Sequence, residues 1–351
     1  MGMPAGRYFS PSASPAALDC ALCPRRCRIR SGAAGRCGVR RNRDGAAYLP
    51  CYGLITALAE DPIEKKPLYH FRPGSSILSL GFALCNLRCP FCQNWAISQP
   101  DLAVKRFDRR LSPAQAVALA RERGFSQIAY TYSEPLIHIE WLLDCMALCR
   151  RAGIATALVT NGCVNKAPAA EILALTDAAN VDLKCFSAET YEKVLGGNLD
   201  AVLRFIEAAH RAGTHLEITT LVVPGLNDSE AETRRCAEFI AGLSPGIPWH
   251  LSAYHPDYRY EAPATAPAAL AAVARMAREQ LRYVYTGNIP GERNDTPCPC
   301  CGAMLVSRRG YRVDTRGLSA QETGQGMVYR CARRGAAATI RAAPPSDAKT
   351  P

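Results

Sequence analysis

Between residues 76 and 254 the chain alternates six times between short apolar runs and stretches of helical periodicity. The runs fall near 76–83, 127–132, 154–160, 179–184, 215–223 and 249–254. Each is short and nearly continuous in apolar residues, the pattern of a strand buried on both faces. Helix starts lie between them. Ser112 precedes Pro113, and Ser229 precedes a helical pattern over 230–241. A serine hydroxyl caps the free N–H groups of a first turn, and proline fits the first helical position. Repeated strand–helix alternation implies a parallel sheet with helices outside. The expected fold class is α/β, a partial (β/α)6 TIM-like barrel over 75–290. A helix near 267–280 and a strand and turn at Tyr283–Asn288 close it.

A parallel barrel carries its chemistry at the C-terminal ends of its strands. The first strand runs into Cys85-Asn86-Leu87-Arg88-Cys89-Pro90-Phe91-Cys92. Three cysteines in one loop can supply three thiolates to a single centre, and an iron–sulfur cubane held by three keeps one iron open. The pattern C-x3-C-x-aromatic-C, with Phe91 as the aromatic, resembles the radical S-adenosylmethionine (SAM) superfamily. The resemblance implies a [4Fe-4S] cluster on Cys85, Cys89 and Cys92, with SAM chelated by the open iron.

The other strand ends extend this reading. The second ends in Tyr132-Ser133-Glu134, where the superfamily commonly has a Gly-Gly-Glu-type motif; Ser133 and Glu134 are expected beside SAM. The third ends in Thr160-Asn161-Gly162, a turn that the resemblance puts against SAM at Asn161. The neighbouring Cys163 reads as an ordinary buried thiol. The fourth ends in Asp182-Leu183-Lys184, whose alternation points both charges to one face. Glycyl-radical activating enzymes use an Asp-x-Lys here to contact SAM. The fifth resembles the activases' Val-Pro-Gly segment but has a Thr, Thr219, where they place an Arg. On the sixth, His255 matches a barrel-mouth His of the activases, and His250 reads as structural. Phe91 and His255 complete the expected SAM contacts.

The two ends of the chain look different. Residues 1–18 read as a disordered lead-in, and 19–50 as a Cys-rich metal-binding module. Cys20, Cys23, Cys27 and Cys37 form C-x2-C-x3-C-x9-C, a four-thiolate site that zinc and an auxiliary iron–sulfur cluster fit equally well. A short, Arg-rich segment needs such a metal, because apolar burial alone is too small to fold it. Residues 51–74 read as a linker, with Lys65 and Lys66 on its surface. Residues 291–335 suggest a degenerate zinc-ribbon-like tail: Cys298 and Cys301 form a knuckle, but Arg334 stands where a partner of Cys331 is expected. Residues 336–351 read as disordered.

The chain has 17 Cys and a net charge of +11. So many cysteines in a chain without a signal-type N-terminus or a long apolar run suggest a cytoplasmic, metal-binding protein rather than a disulfide scaffold. Nine Arg against two Asp in residues 1–45 concentrate positive charge at the N-terminus. That charge suits nucleic acid or an acidic redox partner, or simply reflects an Arg-rich composition.

Together, C-x-L-C-P-R-R-C, C-N-L-R-C-P-F-C-Q-N-W, T-Y-S-E-P, T-L-V-V-P-G-L-N-D, W-H-x-S-x-Y-H-P-D-Y, Y-V-Y-T-G-N and the tail knuckle span residues 20–312. The set resembles the AmmeMemoRadiSam system radical SAM enzymes, relatives of pyruvate formate-lyase activating enzyme. That implies reductive cleavage of SAM, hydrogen abstraction from an unknown substrate, and an external electron donor such as flavodoxin or ferredoxin. It also implies Memo-type and AMMECR-type companions. Three alternatives stay open: a glycyl-radical activase, an RNA-modifying enzyme, and a non-catalytic zinc-binding interaction protein. No membrane partner is expected.

Overall fold

The computed structural model describes residues 6–101, 107–291, 293–323 and 326–341. Its centre is an eight-stranded sheet: β1 (Ile55–Pro62), β2 (Ser76–Phe82), β3 (Gln127–Thr131), β4 (Ala155–Thr160), β5 (Ala178–Asp182), β6 (His215–Val222), β7 (Trp249–Ala253) and β8 (Val284–Gly287). The strands lie side by side in chain order. β1 pairs antiparallel with β2, and every later pair is parallel. Helices cross between them: α1 (Pro113–Glu122), α2 (Ile139–Arg151), α3 (Lys166–Leu173), α4 (Leu199–Arg211), α5 (Glu230–Leu243) and α6 (Pro267–Arg278). Sequential order with helical crossovers is the barrel arrangement, here left open between β1 and β8.

Local chemistry starts the helices where expected. Ser112 accepts the Gln115 N–H while the Gln115 side chain accepts the Ser112 N–H, a capping box that leaves two N-terminal donors satisfied. Ser229 caps α5 through the Glu232 N–H. The strands are buried nearly throughout, β2 and β3 above all. Gly81 is required by packing: a Cβ there would lie 2.9 Å from both the Ala57 Cβ on β1 and the Tyr132 ring.

Three expectations about the flanks need correction. Residues 51–74 are not merely a linker, because they contain β1, the edge strand of the main sheet. Its side chains do not alternate cleanly, and Pro62 ends it, where an edge tolerates proline. The lead-in is structured from Phe9 to Pro11, which pair antiparallel with Leu18–Cys20. Residues 1–5 lie outside the described set. The last segment is ordered at Ala337–Arg341, whose Arg341 exchanges backbone hydrogen bonds with His70 and Arg72. Residues 342–351 lie outside the described set.

The two end modules attach to opposite parts of the barrel. The N-terminal one contains a hairpin, Arg41–Arg43 and Ala46–Tyr48, turned at Asp44 and Gly45 with φ of 53° and 82°, the conformation a two-residue hairpin turn demands. It is riveted to α2 by Arg40, whose guanidinium sits 2.9 Å from Glu140 with both side chains almost wholly buried. The C-terminal module covers the N-terminal end of the barrel. Arg308, 1% exposed, donates to the Tyr69 carbonyl and the Thr296 hydroxyl. Below it, Glu217 on β6 accepts from His215 (2.9 Å), His250 (2.6 Å) and the N–H groups of Tyr69 (3.0 Å) and His70 (2.7 Å). His250 is thus a packing residue of the barrel floor.

The candidate active site at the C-terminal end of the barrel

At the opposite end the loops after β2 to β6 enclose a cavity of about 460 Å³. Cys85, Cys89 and Cys92 line it together, with Phe91 beside them, and Ser133, Glu134, Asn161, Asp182 and Lys184 of the expected set line it too. The Leu87 N–H (3.3 Å) and the Asn161 amide (3.5 Å) both donate to the Cys85 sulfur. The Cys92 sulfur lies 3.0 Å from the Ser98 hydroxyl. Burial pushes the Cys89 thiol up to about 12 despite the pull of Lys184. Binding a metal here would therefore displace protons from thiols.

Backbone strain marks two of the turns that line the cavity. Leu84, just before Cys85, has φ of 73°, and Tyr132, just before Ser133, has φ of 70°. Non-glycine residues adopt this region at a cost, and such costs collect where a site needs a particular loop shape.

Glu134 is 1% exposed and fully engaged by the protein. It accepts from the Leu136 N–H (2.9 Å), the Thr160 hydroxyl (2.6 Å) and the Asn161 N–H (2.8 Å). Burial lifts its pKa to about 7, with those three donors pulling the other way. Its geometry makes it first a brace that joins the ends of β3 and β4. Asp182 and Lys184 form an ion pair at 3.0 Å. Burial disfavours the Lys184 ammonium, but Asp182 and Cys89 outweigh it and raise its pKa above the ordinary lysine value.

One expected residue is not there. His255 is exposed on the loop after β7 and is not among the cavity-lining residues; its ring approaches the Pro256 carbonyl at 3.5 Å. The tight chain between Tyr254 and Tyr260 carries it outward, since the Tyr254 hydroxyl bonds the Tyr260 carbonyl and Trp95 stacks on Tyr258 at 5.5 Å.

Other cavity residues escaped the sequence reading. Lys65 and Lys66 both line the wall. Lys66 is 1% exposed, so its reading as a surface residue is wrong. Its ammonium lies 2.7 Å from Asp61 and 4.1 Å from the centre of the Tyr132 ring. Burial lowers the Lys66 pKa to about 8, with Asp61 opposing. The Tyr132 hydroxyl also donates to Asp61. An aspartate four residues before Lys65 was the one local signal, and it reads equally as a surface pair. Asn180 and Thr219 line the cavity too, and the Asn180 side-chain amide oxygen and the Thr219 hydroxyl are buried without a partner in the protein.

These features suit a polar ligand beside a thiolate-held centre: three unbridged thiols, a fixed cation–carboxylate pair and two orphaned polar atoms share one cavity. Among the described residues, no helix is long and apolar enough to cross a membrane.

The sequence profile of the Radical SAM superfamily matches residues 81–237, from the end of β2 into α5. An uncharacterized protein of Methanocaldococcus jannaschii is 39% identical over 297 residues, covering 83% of this chain and 87% of that one. The pyruvate formate-lyase-activating enzyme of Clostridium pasteurianum is 27% identical over 178 residues, covering 50% and 73%. Among solved structures, a domain of the corresponding enzyme from Bacteroides vulgatus aligns with a TM-score of 0.40 at 23% identity, over 46% of this chain and 98% of that one. The chain belongs to the radical SAM superfamily.

Proposed function

We propose that the chain is an enzyme that generates a 5′-deoxyadenosyl radical and uses it to abstract hydrogen from a substrate still to be identified. The observation that supports this most is the shared lining: Cys85, Cys89 and Cys92 face the same cavity as Glu134, Asn161, Asp182 and Lys184. Bound there, a [4Fe-4S] cluster and SAM would supply one-electron cleavage of the sulfonium, with the electron coming from an external low-potential donor such as flavodoxin or ferredoxin.

The chain's own residues would hold and orient that chemistry. Cys85, Cys89 and Cys92 would be the cluster's three protein ligands. Asn161 and the Leu87 N–H would brace the Cys85 sulfur, as their hydrogen bonds already do. Lys184 offers a cation for the SAM carboxylate and Asp182 an acceptor for its amino group, with the pair pre-aligned by its own contact. Thr219 and Asn180 offer a free hydroxyl and a free side-chain amide oxygen to the bound ligand. Glu134 holds the β3 and β4 ends at fixed separation. Ser133 is tied to the Phe82 carbonyl at 2.7 Å and positions the same loop. Phe91, 3% exposed and packed edge-on to Tyr260, shields the loop from water.

The reading places this chain with the AmmeMemoRadiSam system enzymes, acting in the cytoplasm alongside Memo-type and AMMECR-type proteins. The motifs that carry this are Asn94-Trp95 after the cluster loop and Tyr132–Glu134 at the β3 end. The test is direct. Anaerobically reconstituted protein with dithionite and SAM should release 5′-deoxyadenosine and methionine, measured by chromatography, and Cys89→Ala should release neither. Equal release from both, or none from the wild type, sinks the proposal.

A further inference from the structure

Sulfur spacing separates the cysteine groups of this chain into two kinds. In the C-terminal module Cys298, Cys301 and Cys331 bring their sulfurs within 4.8 Å of one another. Cys301 and Cys331 are 3.7 Å apart. A zinc ion with Zn–S bonds of about 2.3 Å in a tetrahedron sets its sulfurs about 3.8 Å apart. The tail thus keeps three of the four ligands of a single-ion site, more than its two-cysteine knuckle suggested, with Cys300 and Arg334 both exposed.

Among the described residues, that trio is the one group of three or more Cys, His, Asp or Glu whose ligand atoms close so tightly. No three sulfurs of the Cys85, Cys89 and Cys92 loop or of the N-terminal module do so. Yet Cys20, Cys23, Cys27 and Cys37 all line a single pocket, walled by Leu22, Ile137 and Arg40. Four thiols thus surround one space without any three of them closing to the spacing that a lone zinc ion would set. They resemble the radical SAM loop in this and differ from the tail.

The surroundings agree. The Arg40 guanidinium donates to the Cys20 sulfur at 3.3 Å, and the Arg36 N–H to the Cys27 sulfur at 3.5 Å. Hydrogen bonds to sulfur are a means by which proteins stabilise cluster thiolates. The module's strands are only two or three residues long, and its apolar residues Leu22, Ile29 and Val39 are buried as part of the barrel's own core. Its fold docks firmly: Asn165 bonds the Leu22 and Ala21 carbonyls, and Arg25 bonds the Gly196 carbonyl at 2.9 Å. Asn86 lines this pocket as well. It is the residue next to Cys85, and its side chain accepts from Asn161, which donates to the Cys85 sulfur.

We propose that Cys20, Cys23, Cys27 and Cys37 hold a second iron–sulfur cluster, set directly behind the radical SAM loop. Assembly takes two ferric and two ferrous ions with four sulfides, and the four thiols give up their protons as they bond to iron, so no further oxidant is needed. The site stands independently of the chemistry proposed at Cys85, Cys89 and Cys92.

The full chain, purified without oxygen and reconstituted with ferric and ferrous iron and sulfide, tests this by metal analysis of the wild type and three variants. The Cys85→Ala/Cys89→Ala/Cys92→Ala chain should retain about half of the wild-type iron and sulfide and show a cluster signal by electron paramagnetic resonance after dithionite reduction. The Cys23→Ala/Cys27→Ala chain should lose about half. If that second variant does not fold, the first decides alone. Iron absent from the first variant overturns the proposal, as does zinc that is present in the wild type and survives Cys301→Ser. Iron retained by the first variant but wholly lost from the second upholds the second cluster and refutes the radical SAM reading instead.

Discussion

Glu217 offers a sharp test of how the barrel floor is held. Its carboxylate is fully buried and takes four donors, each oxygen accepting one imidazole nitrogen and one backbone N–H. Burial alone would raise its pKa, but the His215 and His250 bonds outweigh this and hold it well below the usual carboxylate value. In Glu217→Gln the amide oxygen can keep two donors. The amide nitrogen then faces an imidazole, which can switch tautomer, and a backbone N–H, which cannot accept. Orphaning that one buried donor and losing the charge should cost about 2–3 kcal/mol at neutral pH. The sign of the pH dependence follows from the depressed pKa. Its contribution is present above the unfolded-state value near 4.5 and is lost as pH falls below it. Urea unfolding under argon, followed by fluorescence of the buried Trp141 and Trp249, should show a wide gap between the proteins at pH 7 that narrows below pH 4.5. A negligible gap at pH 7, or one that stays constant into acid, refutes the reasoning. Because the floor lies at the opposite end from the cavity, 5′-deoxyadenosine release by the folded variant should be unchanged.

Three further outcomes are expected. Arg40→Met removes the partner of a buried Glu140 and should destabilise the chain by about 3–5 kcal/mol, with limited proteolysis cutting first within residues 19–50. Thr219→Val removes a buried, unpartnered hydroxyl; it should stabilise the ligand-free chain by about 1 kcal/mol and weaken SAM binding in calorimetric titration, and the reverse pair of results contradicts its assigned place. Lys184→Gln breaks the pair with Asp182 and should raise the SAM dissociation constant on the order of tenfold while iron content stays unchanged.

The architecture was legible because burial on both faces writes a parallel strand into the chain as a continuous apolar run. All six runs became strands within a residue or two of their expected ends. Strand β1 was missed for the complementary reason: an edge strand paired on one side, half-exposed and ended by proline, carries no such run. The cysteine loop and the Asp182–Lys184 pair were readable because their spacing is local. His255, on an irregular loop, had no local signal to say which way it would face, and the fold turned it outward.

By itself the sequence settles which residues bring chemistry: three cysteines after the second sheet strand, a carboxylate at the end of the next, a charge pair two strands later. Alternation in a strand and spacing in a loop are short-range properties, so the chain states them directly. Only the tertiary structure decides what those groups face. It turns Lys66 from the surface into the cavity, occupies Glu134 with three donors, and leaves Thr219 and Asn180 without any. It also separates the tail's three sulfurs, which close to within 4.8 Å of one another, from the N-terminal four, which line one pocket without closing so tightly, and no spacing of cysteines along the chain could do that. Distances between groups remote in sequence depend on how strands and loops pack, and packing exists only once the whole barrel has closed around them.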